Sequence, residues 1–276
     1  MSVTVFVVPY HLARLGDGTG AGPDALVAAG ALTGLPVGDV RNITVPVATN
    51  EVQACFALDA TLAVAARASR ETGDVPLILS GNCHTCLGTL AAAGPEVSVV
   101  WFDAHGDLNT PDTTETGFFD GMALATAVGW AWAPMARRIP GFRPVAENDV
   151  LLVGGRDLDP AEGDRLSRSR VRHYMPPSLR CDAETTAAFI DALVAGASPT
   201  TAYVHIDLDV LDSTEMVANR YAAGGGVSIL WLETALRAIR ERKEIVAVAL
   251  TSYDPSCHDA RHASAIVNRL LTAALF

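Results

Sequence analysis

The sequence predicts an α/β fold in which helices cover both faces of a parallel sheet. Three observations lead there. Short apolar segments alternate with longer segments of helical spacing along nearly the whole chain. The segment Val97-Ser98-Val99-Val100-Trp101-Phe102 is almost entirely apolar and rich in β-branched and aromatic residues, as a strand buried on both faces should be. Finally, three such segments run into His or Asp side chains, and strand ends are where open α/β sheets bind ligands.

In chain order, residues 3–8 form an apolar strand ending at Pro9. The run Gly16-Asp17-Gly18-Thr19-Gly20-Ala21-Gly22-Pro23 matches neither a Walker loop nor a dinucleotide fingerprint, so it reads as a structural loop into a helix near Asp24. Residues 51–72 carry Ala, Leu and Val at helical spacing and stop before Gly73. A strand at 76–80 leads through Gly81-Asn82-Cys83-His84 to a helix over 85–93, closed by Gly94-Pro95. After the strand at 97–102 comes a loop over 108–121 and a helix near 122–131. A strand at 149–154 feeds Gly155-Arg156-Asp157-Leu158-Asp159-Pro160 and a further helix, and a short strand follows near 171–174. Residues 183–195 are helical, and 203–207 form a strand. Gly224-Gly225-Gly226, a helix over 229–242, a strand over 245–250 and a helix from Asp259 complete the chain. With no linker, repeat or low-complexity segment, residues 1–276 are expected to form one domain.

Half of the 276 residues are hydrophobic, enough for a large core, and a net charge of −11 disfavours nucleic-acid or anionic-membrane partners. The N-terminus lacks the features of a signal peptide, and no apolar run approaches the roughly 20 residues that span a bilayer. Five cysteines, an odd number without framework spacing, point to a reducing cytoplasm.

Asp103, His105 and Asp107 lie at i, i+2 and i+4, on one side of an extended chain. His205-Ile206-Asp207-Leu208-Asp209 repeats the alternation, and His84 follows the third strand. If the ends converge, four carboxylates (Asp103, Asp107, Asp207, Asp209) share one pocket. They cannot all ionise there unless cations intervene. Two divalent ions balance those four charges, with His84 and His105 as neutral donors. A set of carboxylates and imidazoles suits Mn²⁺ better than a thiolate-rich site would.

The motifs "GTGAGP", "GNCH", "DAHGDLNTPDTTETG", "GGRDLDPAE", "HIDLDVLD" and "AAGGGVS", in this order along nearly the whole chain, resemble the ureohydrolase family of arginase and agmatinase. The resemblance implies an arginase-like three-layer α/β/α sandwich with one central, mostly parallel sheet and two Mn²⁺ ions. One ion would be held by His84, Asp103, Asp107 and Asp207, the other by His105, Asp103, Asp207 and Asp209. It further implies a hydroxide between the ions as nucleophile toward a guanidine carbon, giving an amine and urea, with Asp107 moving the proton. Asn109, Thr114, Thr116 and Asp159 fall where arginase grips the amino-acid end of its substrate, with Asp157 and Glu162 nearby. As turn formers and helix caps they also have ordinary structural uses.

Two positions depart from that pattern. Asp120 stands where arginase carries a proton-shuttling histidine, and an acid there could still relay protons. Ser252 stands where the family carries the glutamate that grips the guanidinium. Losing that charge-assisted bond, about 1.5–3 kcal/mol, disfavours an ordinary cationic guanidinium. A less basic, modified guanidine such as Nω-hydroxyarginine is then an alternative to L-arginine.

Agmatine, guanidino acids and formimino compounds stay open as substrates. A zinc deacetylase on the same fold fits less well, because the ligand set favours two metals. A non-catalytic metal-binding relative is the reading from another class. Cys83-His84-Thr85-Cys86 contains a CxxC, but no second pair accompanies it and His84 is assigned elsewhere. His205 shares strand parity with Asp207 and is expected to line the site. The expected partner is a small guanidino substrate, with a homo-oligomer or a monomer both open.

Overall fold

The computed structural model describes residues 2–45, 50–177, 181–195 and 199–276. Among them, ten strands and nine α-helices alternate along the chain. The strands are β1 (Val3–Val8), β2 (Tyr10–His11), β3 (Arg14–Leu15), β4 (Val37–Asn42), β5 (Val75–Ser80), β6 (Ser98–Phe102), β7 (Val150–Val153), β8 (Arg172–Tyr174), β9 (Thr201–Asp207) and β10 (Glu244–Thr251). The helices are α1 (Gly22–Ala28), α2 (Glu51–Glu71), α3 (Cys86–Ala93), α4 (Ala123–Ala127), α5 (Ala133–Ala136), α6 (Pro160–Arg168), α7 (Ala183–Val194), α8 (Ile229–Arg242) and α9 (Ala260–Leu275).

Eight strands form one sheet in the order β4-β1-β5-β10-β9-β6-β7-β8, and every pairing in it is parallel. Parallel strands need crossovers, and the helices supply them on both faces. The core splits accordingly. Val5, Val7, Val100, Phe102, Val204 and Ile206 pack on one face with Trp231, Leu236 and Leu271. Their strand neighbours Phe6, Val8, Val99, Trp101 and Tyr203 pack on the other with Leu58, Leu62 and Leu90. This alternation within single strands makes three layers of helix, sheet and helix.

Helix starts follow their caps. The side chains of Asn50, Ser228 and Asp259 accept backbone N–H bonds at the starts of α2, α8 and α9. The structure adds two features to the sequence reading. Edge strand β4 is largely exposed, without the apolar run that marks a buried strand, and β2–β3 is a two-residue-arm hairpin. The helix expected over 122–131 is cut to α4, because Gly129 takes a left-handed turn (φ 84°). Among the described residues no helix is long and apolar enough to cross a membrane.

Candidate functional site

All strands of the main sheet point the same way, so the segments leaving the C-terminal ends of β5, β6, β7, β9 and β10 gather at one rim. A cavity of about 190 Å³, open to solvent at its mouth, lies there. Cys83, His105, Asp107, Asn109, Thr114, Thr116, Asp120, Asp159, Asp207, Asp209 and Ser252 all line it. A recess this small takes a small molecule, not a polymer.

At its floor, Asp103, His105 and Asp209 offer donor atoms within 4.8 Å of one another, and so do Cys83, Asp103 and Asp207. Asp103 belongs to both groups. His105 Nδ1 is 3.4 Å from both Asp103 Oδ1 and Asp209 Oδ2. The remaining carboxylate lone pairs are aimed by the backbone and by neighbouring side chains. Trp101 Nε1 donates to Asp103 Oδ2 at 2.9 Å, Ala104 N to Asp209 Oδ1 at 3.2 Å, and Asp209 N to Asp207 Oδ1 at 2.9 Å. Asn219 Nδ2 donates to Asp209 Oδ2 at 3.2 Å.

Asp107 stands apart. It is buried in a left-handed backbone conformation (φ 51°), and its Oδ2 has no hydrogen-bond partner. A buried, unpartnered carboxylate oxygen is costly unless a cation or a titrating proton meets it. Burial, then repulsion from Asp103 and Asp120, drives the Asp107 pKa far up. Burial and Asp209 do the same to Asp207. Asp209 goes the other way: burial would raise it, but the hydrogen bond and charge of His105 outweigh that and pull it down. His105 is raised, its burial overcome by the bonds to Asp103 and Asp209. This crowd of acids with too few cations, together with the orphan oxygen of Asp107, fits a pair of divalent ions.

One predicted ligand is not brought to the site. His84 turns away, with its Nδ1 3.5 Å from Asp59 Oδ2 on α2 and its ring 5.9 Å from that of Phe119. The cause is local. A Cβ at Gly81 would collide with the Tyr10 carbonyl oxygen, so only glycine lets the chain pass there. Beyond it the backbone winds into a 3₁₀ turn over Cys83–Thr85 instead of continuing extended. Neighbours in a helical turn diverge in direction, unlike residues two apart on a strand. Cys83 therefore faces the carboxylates, and its Sγ lies 3.0 Å from Asp207 Oδ2, 3.2 Å from Thr251 Oγ1 and 3.6 Å from Ser252 Oγ. In the sequence Cys83 stands out only as half of a CxxC. The available signal was its place beside a histidine at a strand end.

Asp120, read as a proton relay, has its carboxylate engaged by that same turn. Oδ2 accepts from Asn82 Nδ2 at 2.5 Å and Cys83 N at 3.2 Å, and Oδ1 accepts from His84 N at 2.9 Å. Its geometry is that of a clamp on the Cys83 turn rather than of a free acid. His205 backs the site from behind the carboxylates, through Trp101, which bonds Asp103. It stacks flat on Trp101 at 3.6 Å beneath the site, with Nδ1 2.7 Å from Tyr203 Oη. Burial pushes its pKa down to about 3.

Toward the mouth, Asn109 Nδ2 donates to Asp159 Oδ2 at 2.7 Å. Glu162 accepts from Leu108 N at 2.8 Å and Asp159 N at 3.0 Å, which ties the β6 loop to the start of α6. Thr114 Oγ1 accepts from Gly117 N and Thr116 Oγ1 from Phe118 N. His11, Phe118 and Tyr221 form an aromatic rim, with ring separations of 6.1 Å and 5.5 Å. Sequence reasoning missed Arg156, whose guanidinium donates to the carbonyls of Asp209, Ala223 and Gly224 and so braces the loop after β9.

The sequence matches the Arginase family profile over residues 1–276. Arginase from Bacillus caldovelox is 26% identical over 295 residues, covering 99% of this chain and 97% of that protein. N(omega)-hydroxy-L-arginine amidinohydrolase from Streptomyces lavendulae is 30% identical over 206 residues, 73% of this chain and 69% of that protein. The crystal structure of arginase from Bacillus subtilis superposes with a TM-score of 0.88 at 23% identity, covering 100% of this chain and 98% of that one.

Proposed function

The chain belongs to the arginase family, a family of amidinohydrolases acting on small guanidino compounds, and from that premise we propose that it hydrolyses a modified, weakly basic guanidine on an amino-acid scaffold. Nω-hydroxyarginine is the leading substrate and plain L-arginine the lesser one. One observation carries the choice. The pocket floor presents the neutral hydroxyl of Ser252, beside Asp207 and Cys83, where the resemblance expects a glutamate. A hydroxyguanidine is less basic than a guanidine and depends less on a carboxylate anchor. The amidinohydrolase of Streptomyces lavendulae, named for that substrate, supports the reading.

Two Mn²⁺ ions would be held by Asp103, Asp107, Asp207, Asp209 and His105, with Asp103 and Asp207 shared. When bound, they neutralise the crowded carboxylates and activate water at neutral pH. The protein does the rest. Asp107, which lines the cavity and has one oxygen without a hydrogen-bond partner, accepts the proton of the attacking water and returns it to the departing amine. Water adds to the guanidine carbon and the C–N bond to the side chain breaks, leaving an ornithine-like amine and urea or hydroxyurea. Asp159 holds the α-amino group, and Asn109, hydrogen-bonded to Asp159, stands with Thr114 and Thr116 at the α-carboxylate. The Thr114 and Thr116 oxygens accept from the backbone, which leaves their O–H groups to donate to the α-carboxylate. Five free cysteines are in keeping with work in the cytoplasm.

A product assay on Mn²⁺-loaded protein tests this. Hydroxyarginine should release hydroxyurea with a higher kcat/KM than arginine releases urea. Faster turnover of arginine, agmatine or a formimino compound would overturn the substrate choice, and turnover of none would leave a non-catalytic metal-binding protein.

A further inference from the structure

We infer that the thiolate of Cys83 is itself a metal ligand, completing the half of the centre that His84 was expected to serve and leaving the two ions in unlike surroundings. The inference deepens the metal-dependent reading above and rests on it.

The Cys83 Sγ, a carboxylate oxygen of Asp103 and one of Asp207 lie within 4.8 Å of one another, all three residues buried. No histidine and no second cysteine joins that group among the described residues. A second observation points to an ion at the same place. Asp107 Oδ2 is buried without a partner, and Asp107 lines the same cavity as Cys83 and Asp207. A structural cysteine normally packs as a small hydrophobe. Cys83 instead has a carboxylate at 3.0 Å and two hydroxyls at 3.2 and 3.6 Å. The turn that aims it is fixed from behind by Asp120, through the amides of Cys83 and His84. Holding a ligand's backbone in this way is the usual task of groups just outside a metal's own ligands.

The consequence is chemical. One ion meets thiolate, Asp103, Asp107 and Asp207, and the other meets imidazole, Asp103, Asp207 and Asp209. Binding releases the thiol proton and forms a metal–sulfur bond. Soft thiolate shifts the preference of its ion away from manganese and toward metals such as zinc or cobalt. Only the His105 half keeps the all-carboxylate and imidazole set that suits Mn²⁺.

Cobalt is the probe. The full-length protein, dialysed free of metal, is titrated with Co²⁺ while near-ultraviolet absorption and bound cobalt are followed. Wild type should take two ions per chain and develop a sulfur-to-cobalt charge-transfer band. Cys83→Ser should lose the band and bind one of the two ions at least about tenfold more weakly. Cys83→His should bind two ions without the band, which shows that the turn tolerates substitution. His84→Asn should keep the band. Two bound cobalt ions without a band in wild type, or a band that survives in Cys83→Ser, would overturn the thiolate ligand and leave the two-metal reading standing. No cobalt uptake by wild type would overturn both.

Discussion

Replacing Asp120 by asparagine removes one carboxylate oxygen and the negative charge while keeping the size of the side chain. Its two oxygens now serve three donors, two on Oδ2 and one on Oδ1. The better amide orientation puts its single oxygen at the Oδ2 position and its NH₂ against the His84 N–H. One buried backbone donor is then unpaired, costing about 1–3 kcal/mol, and two charge-assisted bonds become neutral ones, each weaker by about 1 kcal/mol. The sum is at least about 3 kcal/mol, or a fall in melting temperature of ~6–12 °C at the ~2–4 °C per kcal/mol of a large domain. Differential scanning calorimetry of the metal-free proteins reads it directly. Because the same turn aims Cys83, kcat should fall in the variant more than KM rises. A melting temperature within ~2 °C of wild type, with loss of activity alone, would refute the clamp and restore Asp120 to a proton-relay role.

Ser252→Glu places a carboxylate beside the reacting end of the substrate, and a regained charge-assisted bond of about 1.5–3 kcal/mol should raise kcat/KM for arginine relative to hydroxyarginine by roughly 10–100-fold. An unchanged ratio would count against Ser252 as the discriminating residue. His205 has a folded pKa near 3, set by burial, against about 6.5 unfolded. Between those values the unfolded chain binds the extra proton, so stability from the neutral ring is complete above pH 6.5 and is lost as pH falls toward 3. His205→Phe should therefore gain on wild type by ~1.4 kcal/mol per pH unit below 6.5 in urea denaturation. A constant difference between the two proteins from pH 7 to 5 would mean that the ring takes up its proton as readily in the fold as in the unfolded chain.

Much of this was legible in the sequence because buried parallel strands leave a plain mark. The apolar run ending at Phe102 and the alternation Asp103, His105 and Asp207, Asp209 located the site, because both segments leave the ends of neighbouring buried strands, although Asp103 and His105 follow β6 and Asp209 sits in a 3₁₀ turn after β9. Parity failed at Cys83 and His84. A glycine forced against the Tyr10 carbonyl ends the strand, and the next residues obey helical directions. Strand β4 escaped notice for the opposite reason: as a largely exposed edge it has no need of an apolar run. The role of Asp120 was hidden because its partners are backbone amides some 37 residues away, which no side-chain pattern records.

The central claim is that four carboxylates, with His105 and Cys83, share one buried pocket because two divalent ions bind there. Metal analysis and turnover on one preparation, stripped by chelation and then reloaded, test it most directly. The stripped protein should hydrolyse no guanidine, and recovery should track uptake to two ions per chain. Full turnover after complete stripping, or full recovery with a single bound ion, would contradict it.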